Sequence, residues 1–187
     1  MTPMTPADPA PAGPVPGASV IEIAVESPHW DPPDLQALAT RAVTATLTRL
    51  DLPAGAFEVS ILACDDARIA TLNAEFRDKP TPTNVLSWPA EERAPETPGA
   101  MPDLPDPADP MAAELGDLAL AYETCAREAA EADKPFEAHL THLLVHGTLH
   151  LLGFDHETDP DATLMEGLEV EILATLNMAN PYETPVV

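Results

Sequence analysis

The chain has 187 residues, of which 8 are lysine or arginine and 32 are aspartate or glutamate, so its formal charge is −24. This length suits one domain with a sizeable core, and a hydrophobic content of 45% argues against a wholly disordered chain, although 23 prolines indicate that part of it is not packed. The acidity disfavours a general polyanion-binding surface, because contacts to phosphate depend on lysine and arginine. Two distant cysteines, Cys64 and Cys125, indicate neither a disulfide scaffold nor a cysteine-rich zinc module.

The first 18 residues are rich in proline and alanine and contain no lysine, arginine or continuous apolar run. They therefore resemble neither a secretory signal nor an arginine-rich transit peptide, and no apolar stretch approaches the ~18–20 residues that span a bilayer. We expect a cytoplasmic protein with no membrane association. The predicted organisation is a disordered tail over 1–18, a single domain over 19–180 and a C-terminal tail over 181–187.

The first half of the chain alternates strands and helices. Alternating apolar and polar residues predict strands over 20–26 and 57–64. Between them Asp31 can cap a helix whose first position is proline, and an apolar stripe continues this helix to about residue 50. A second helix starts at Asp65 or Asp66 and carries Ile69, Leu72 and Phe76.

The second half contains short strands over 84–88 and 115–121 and then helices over about 122–133, 137–152 and 160–177, the last capped by Asp159. The segment 89–110 combines prolines with six acidic residues, so we expect an inserted, flexible acidic loop without regular structure. Strands come first and helices dominate the end. This order predicts an α+β fold, with about five to six helices packed on a small mixed four-stranded sheet.

The strongest chemical signal is the segment HGTLHLLGFDH, which begins at His146. His146 and His150 are four residues apart, so on a helix they project from one face and can bind one ion. Gly153 follows where the helix should end, and a glycine there can reverse the chain and return His156 to the other two. Three imidazoles leave a fourth position open, which is typical of a catalytic zinc, although imidazole also suits nickel and other divalent ions.

The remaining histidines give weaker signals. His29 and His139 are interpreted as ordinary core or surface residues. His142 lies one turn before His146 on the same ridge, but a continuous helix places it nearly two turns from His150, so it is a less favoured ligand.

The spacing HxxxHxxGxxH matches the metzincin proteases and predicts a zincin-like metal helix. Those proteases carry glutamate directly after the first histidine, where it deprotonates water and protonates the leaving amine. Here this position is Gly147, which can do neither. Peptide hydrolysis is therefore disfavoured, unless a carboxylate such as Asp155 or Glu157 substitutes.

The same segment resembles the signature of the YbeY family of bacterial ribosomal RNA maturation factors, and the resemblance extends over roughly residues 20–180. The segments LNAEFRDK from Leu72, PTNVLSWP from Pro82 and LGDL from Leu115 are similar to that family, as are Met165 and Glu169. Asn84 departs from the aspartate that many members carry, and the 89–110 loop is longer than expected.

The resemblance implies one Zn²⁺ per chain held by His146, His150 and His156. It implies that the domain is catalytic, a single-strand-specific endoribonuclease that processes the 3′ end of small-subunit (16S) ribosomal RNA and serves ribosome quality control. Arg77 matches the family arginine needed for activity, and its planar guanidinium suits phosphate.

Three further residues are candidates to support the metal site. Asp117 and Asp155 could each orient a ligand imidazole, and Met165 could form the floor of the site. The expected partners are a ribosomal RNA precursor and the small ribosomal subunit or a basic ribosomal protein, with no DNA. Two alternatives remain open: a ribosome-assembly factor in which zinc is only structural, and a zincin-type metallopeptidase.

The charge is unevenly distributed. Residues 41–79 contain five basic and six acidic residues, whereas 89–137 contains three basic and thirteen acidic, and no lysine or arginine follows Lys134. RNA should therefore approach through a narrow channel near Arg77 and the metal, and bind weakly elsewhere.

Overall fold

The computed structural model describes residues 17–183. Nearly all of the predicted N-terminal tail and the last four residues of the predicted C-terminal tail lie outside this range. Within it, four strands and five α-helices occur. In chain order they are β1 Val20–Val25, α1 Pro32–Arg49, β2 Glu58–Cys64, α2 Asp66–Arg77, β3 Val85–Pro89, β4 Glu114–Ala121, α3 Tyr122–Glu131, α4 Phe136–Leu151 and α5 Asp159–Thr175. The predicted α+β class and its small four-stranded sheet are confirmed.

The sheet is mixed, with the strand order β1-β2-β4-β3. β1, β2 and β4 run parallel, and β3 pairs antiparallel with β4 at one edge. A bulge interrupts the pairing of β2 with β4, because Glu58 pairs with Glu114 while Val59 pairs with Gly116. Gly116 has φ +139°, and a Cβ there would lie 2.2 Å from the Trp88 carbonyl oxygen. Only glycine lets β3 approach β4 this closely at the bulge.

Short polar side chains cap the N-termini of α1, α2 and α5. Asp31 accepts a hydrogen bond from Asp34 N at α1, and Asp65 accepts one from Arg68 N at α2. The prediction that Asp159 caps α5 is wrong, because the N-cap is Thr158, whose hydroxyl accepts from Asp161 N. Asp159 is instead the first helical residue, where its carboxylate still favours the positive end of the helix.

One face of the sheet carries the main core, built from α1, α4 and α5. α4 lies at its centre and contacts α1, α3, α5 and β3, so leucines on several of its faces are buried. α2 covers part of the other face through Ile69 and Leu72, whereas Phe76 of the same helix is exposed and packs edge-on against Trp88. In residues 17–183 we find no helix with both the length and the apolar character that crossing a bilayer demands.

Cys64 and Cys125 are both free and buried, in agreement with the sequence interpretation. Burial, with a smaller contribution from nearby carboxylates, raises the pKa of each thiol to about 12. Neither cysteine is therefore a reactive thiolate or a candidate metal ligand.

The segment between β3 and β4 contains no helix or strand from residue 90 to residue 109, as predicted. It nevertheless packs on the domain: Leu104 contacts the main core, and Pro102 and Pro105 are buried. One hydrogen bond, from Gly99 N to Asp161 Oδ1, also joins it to the start of α5. The interpretation as a flexible loop therefore missed these fixed contacts.

Gly116 provides a sharp test of the β3–β4 contact. We expect Gly116→Ala to lower the free energy of unfolding by about 2–3 kcal/mol, because the added methyl group meets the Trp88 carbonyl and φ is unfavourable for alanine. Gly167→Ala is the matched control: Gly167 lies in α5 with open space around it, so alanine should stabilise by about 0.5–1 kcal/mol. Urea denaturation of both variants measures the difference, and equal effects would contradict this account of the bulge.

Candidate metal centre

α4 presents three histidines on one ridge, because His142, His146 and His150 are spaced four residues apart in a continuous helix. The Nε2 atoms of His146 and His150 lie 3.1 Å apart. Zn–N bonds of about 2.0–2.1 Å place two ligands of a tetrahedral ion about 3.3 Å apart. The helix alone therefore places two imidazole nitrogens close to the separation that one zinc ion requires.

The chain reverses directly after α4. Gly153 has φ +101°, and the reversal is closed by hydrogen bonds from Gly153 N to His150 O and from Phe154 N to Leu149 O, both 3.1 Å. This is a Schellman motif, which satisfies the last carbonyl groups of the helix. It returns the Phe154 carbonyl to the ring of His150, whose Nδ1 donates to it at 3.0 Å.

The reversal also brings His156 to the helix. The ring of His156 lies 5.3 Å from that of His146 and 5.2 Å from that of His150, measured between centroids. One nitrogen from each of the three histidines lies within 4.8 Å of the others. His146 and His150 are partly buried and His156 is exposed, so the cluster opens to solvent on the side of His156.

A buried carboxylate lies behind His146. Glu169 of α5 is fully buried, and it accepts hydrogen bonds from His146 Nδ1 at 2.5 Å, from His142 Nε2 at 3.1 Å and from the Tyr182 hydroxyl. Burial acts to raise the pKa of Glu169, but these three donors outweigh it and lower the pKa to about 2. Desolvation of its hydroxyl and the adjacent Glu169 carboxylate raise the pKa of Tyr182. Glu169 is therefore ionised at neutral pH.

These contacts fix the protonation of two imidazoles. Glu169 and the Phe154 carbonyl can only accept, so His146 and His150 both carry their proton on Nδ1. Burial, assisted by the neighbouring His146 and His156, lowers the pKa of His150 to about 4, so its ring is neutral at pH 7. The neutral ring of His150 therefore offers an Nε2 lone pair, and His146 Nε2 lies 3.1 Å from it, so one cation can bind both nitrogens when His146 Nε2 carries no proton. The residues present fit a divalent metal ion.

The cluster forms part of the wall of a cavity of about 470 Å³. Arg77, at the end of α2, lies in the same wall, and its Nη2 donates to the Ser87 carbonyl at 3.4 Å. Two carboxylates, Asp155 and Glu157, also line the cavity. The structure thus brings the three predicted metal ligands, Arg77 and Asp155 together.

Two other predicted site residues lie elsewhere. Asp117 is exposed on β4, where it lines a groove on the far face of the sheet with Leu72 and Trp88. The carboxylate that contacts a ligand imidazole is Glu169, which accepts from His146. Met165 is fully buried in the main core, one helical turn before Glu169, and its proposed place beneath the metal stays a prediction.

The other three histidines lie outside the ligand cluster. His142 donates to Glu169, His29 stacks on Tyr122, and His139 Nε2 lies 2.8 Å from Glu128 Oε2. The preference for His146, His150 and His156 as the ligand set is consistent with this geometry.

Sequence reasoning did not assign a role to Glu169 or to Glu128. Glu169 lies within the apolar stripe of α5, and a lone carboxylate in such a stripe is a detectable sign of a paired buried charge. Glu128 accepts two hydrogen bonds from Asn84 Nδ2, at 3.0 and 3.3 Å. An aspartate at position 84 would place a second carboxylate there, so asparagine at this position is matched to Glu128.

Comparison with known proteins identifies the family. The family model described as "Endoribonuclease YbeY" matches residues 21–177. A protein of Dinoroseobacter shibae with that name is 77% identical over 172 residues, covering 92% of this chain and 95% of its own. Proteins of the same name from Jannaschia sp. and Rhizobium meliloti are 66% and 49% identical, each covering 87% of this chain and 99% and 94% of their own.

A solved structure supports the fold. The solution structure of a Thermotoga maritima protein superposes with a TM-score of 0.51 at 20% identity, covering 88% of this chain and all of that protein. Together, the match over residues 21–177 and the high identity across most of the chain show that it belongs to the YbeY endoribonuclease family.

Proposed function

We propose that this chain is a zinc-dependent, single-strand-specific endoribonuclease that matures the 3′ end of small-subunit (16S) ribosomal RNA in the cytoplasm and contributes to ribosome quality control. One observation carries the proposal: three histidines and an arginine share one cavity, and protein acceptors hold Nδ1 of two imidazoles so that their Nε2 atoms lie 3.1 Å apart. Membership of the family indicates the reaction class, and the histidines and Arg77 are the residues suited to bind the metal and the phosphate.

His146, His150 and His156 would hold the ion. When bound, zinc would lower the pKa of a coordinated water or polarise a phosphate oxygen, and either effect assists cleavage of a phosphodiester by water or by the neighbouring 2′-OH. The chain supports this chemistry by orienting its ligands. Glu169 holds the ring of His146 and makes it a stronger ligand, and the Phe154 carbonyl does the same for His150.

The charge of the cavity makes phosphate binding depend on the ion. Its wall contains one arginine, Arg77, and two carboxylates, Asp155 and Glu157, a formal sum of −1. A bound divalent cation changes this sum to +1. The cavity should therefore accept a phosphodiester only after it has taken up metal.

Arg77 is the residue suited to position the phosphate. It lies in the last turn of α2, and its contact with the Ser87 carbonyl uses one N–H group of the guanidinium. Among residues 17–183, its remaining N–H groups donate to no other acceptor, and their planar arrangement suits the paired oxygens of a phosphate.

The size and surroundings of the cavity limit its partners. A cavity of about 470 Å³ has room for an unpaired nucleotide, which favours single-stranded RNA as the substrate. Because the rest of the chain is strongly acidic, a basic ribosomal protein of the small subunit is the complementary docking partner. This proposal predicts weak RNA binding away from the cavity.

Cleavage of a 3′-extended precursor RNA by purified zinc-loaded protein tests the function. We expect specific cleavage by the wild type, none by His146→Ala, and a loss of about 100-fold for Arg77→Ala, which removes a charge-stabilising donor. Arg49→Ala is the matched control, because Arg49 forms an exposed ion pair with Glu171 on another part of the surface, and it should retain full activity.

The outcomes separate the alternatives. Equal cleavage by the wild type and His146→Ala would identify a contaminating nuclease. If Arg77→Ala binds zinc and folds but fully complements a strain lacking the gene, the non-catalytic assembly factor is the better account. Peptide hydrolysis in proportion to bound zinc would instead support a metallopeptidase, against which Gly147 argues.

The role of Glu169 is tested separately by metal affinity. Glu169→Gln keeps the shape of the side chain but replaces the charged acceptor of His146, so we expect the zinc affinity to fall by about 10-fold or more. Glu166→Gln, an exposed neighbour on α5, should leave the affinity unchanged. Competition with a chelator measures the zinc dissociation constant of each variant. An unchanged affinity for Glu169→Gln would refute the orienting role.

A further inference from the structure

The third candidate ligand is held differently from the other two. His146 and His150 each donate Nδ1 to a fixed acceptor, whereas within residues 17–183 the ring of His156 has no recorded hydrogen-bond partner. Its backbone N donates to Asp155 Oδ1 at 2.7 Å, which is a local contact. The position of the His156 ring therefore depends on the backbone of residues 153–158, which we name the ligand loop.

The segment 90–109, which we name the insertion, contacts the ligand loop at its first residue. A Cβ on Gly153 would lie 2.8 Å from the carbonyl carbon, the carbonyl oxygen and the Cβ of Arg93, so the backbone of Arg93 rests directly on Gly153. Arg93 is itself fixed. Its side chain is only 10% exposed, its Nη1 donates to the Asp103 carbonyl at 3.0 Å, and its own carbonyl accepts from Asp103 N at 3.1 Å.

A second contact joins the insertion to the residues after the ligand loop. Gly99 N donates to Asp161 Oδ1 at 2.7 Å. The other oxygen of the same carboxylate accepts from the Thr158 hydroxyl at 2.7 Å. Asp161 therefore links the insertion to Thr158, which ends the ligand loop and caps α5.

Between these two contacts the ligand loop forms a thin wall. Asp155 and Glu157 line the metal cavity on one side and a second cavity of about 190 Å³ on the other. Ala94, Pro95, Ala100 and Pro102 of the insertion form the far side of that second cavity. Proline restricts the backbone, so this support is stiffer than an ordinary loop of the same length.

We infer that the insertion is a positioning element for the third metal ligand. Arg93 at one end and the Gly99–Asp161 hydrogen bond at the other hold the ligand loop, and thereby keep His156 beside His146 and His150. The insertion thus supplies the support that Glu169 and the Phe154 carbonyl supply to the other two ligands. This inference rests on the metal site of the proposed function and assigns a role to a segment that the RNA chemistry does not use.

Zinc affinity, measured by chelator competition on the full chain, tests the inference. We expect Arg93→Ala to weaken zinc binding by about 10-fold, and Asp161→Ala, at a half-buried position, to weaken it too. Arg49→Ala is again the control and should bind as the wild type does. Thermal melting of the metal-free proteins identifies any variant that fails to fold, in which case Asp161→Ala decides the question.

A double-mutant cycle with His156→Ala distinguishes positioning from general stability. If the insertion acts through His156, Arg93→Ala and Asp161→Ala should have no further effect once His156 is removed. Additive losses, or a wild type that binds no zinc, would overturn the inference. Zinc binding with this coupling but without RNA cleavage would refute the proposed function alone, and RNA cleavage with additive losses would refute the insertion's role alone.

Discussion

The candidate metal site depends on one buried charge, the carboxylate of Glu169. An ionised carboxylate with no exposure to water is stable only if donors surround it, and removing a partner from such a group costs about 3–5 kcal/mol. Its donors are His142 and His146 of α4 and Tyr182 near the end of the chain. The carboxylate therefore joins three segments, and the requirement for donors fixes the orientation of the His146 ring. The hydrogen bond between Glu169 and His146 therefore contributes both to the stability of the fold and to the orientation of a candidate metal ligand.

The end of α4 positions the other two candidate ligands, His150 and His156. A helix that ends in a Schellman motif must return its chain, and this return places the Phe154 carbonyl on His150 and carries His156 back to the cluster. Gly153 meets two demands at once, since its positive φ closes the motif and its missing side chain leaves room for the backbone of Arg93. The four-residue spacing of His146 and His150 and the glycine at position 153 therefore act together: the helix pairs two histidines, and the reversal at its end brings in the third.

Much of this was predictable from the sequence, because it rests on contacts between residues close together in the chain. Helical spacing predicted the His146–His150 pair, and the reversal at Gly153 predicted the approach of His156. Contacts between distant segments were not predictable in this way. Hydropathy places Glu169 on the core side of α5 but does not show which side chains donate hydrogen bonds to it. The sequence also does not show which face of the sheet the side chain of Asp117 occupies. Threonine and aspartate can both cap a helix, so the sequence does not decide whether α5 begins after Thr158 or after Asp159, a difference of one residue.

The net charge of −24 limits how this chain can bind RNA at the candidate site. A surface of this sign repels RNA at long range, so binding energy must come from a few groups that face the substrate at close range. The cavity contains one such side chain, Arg77, and two carboxylates that oppose it. The ion bound by the three histidines would reverse this balance. An acidic nuclease built in this way would have little affinity for RNA in general. Its selectivity would then depend on a metal-loaded cavity together with a partner that delivers the unpaired strand.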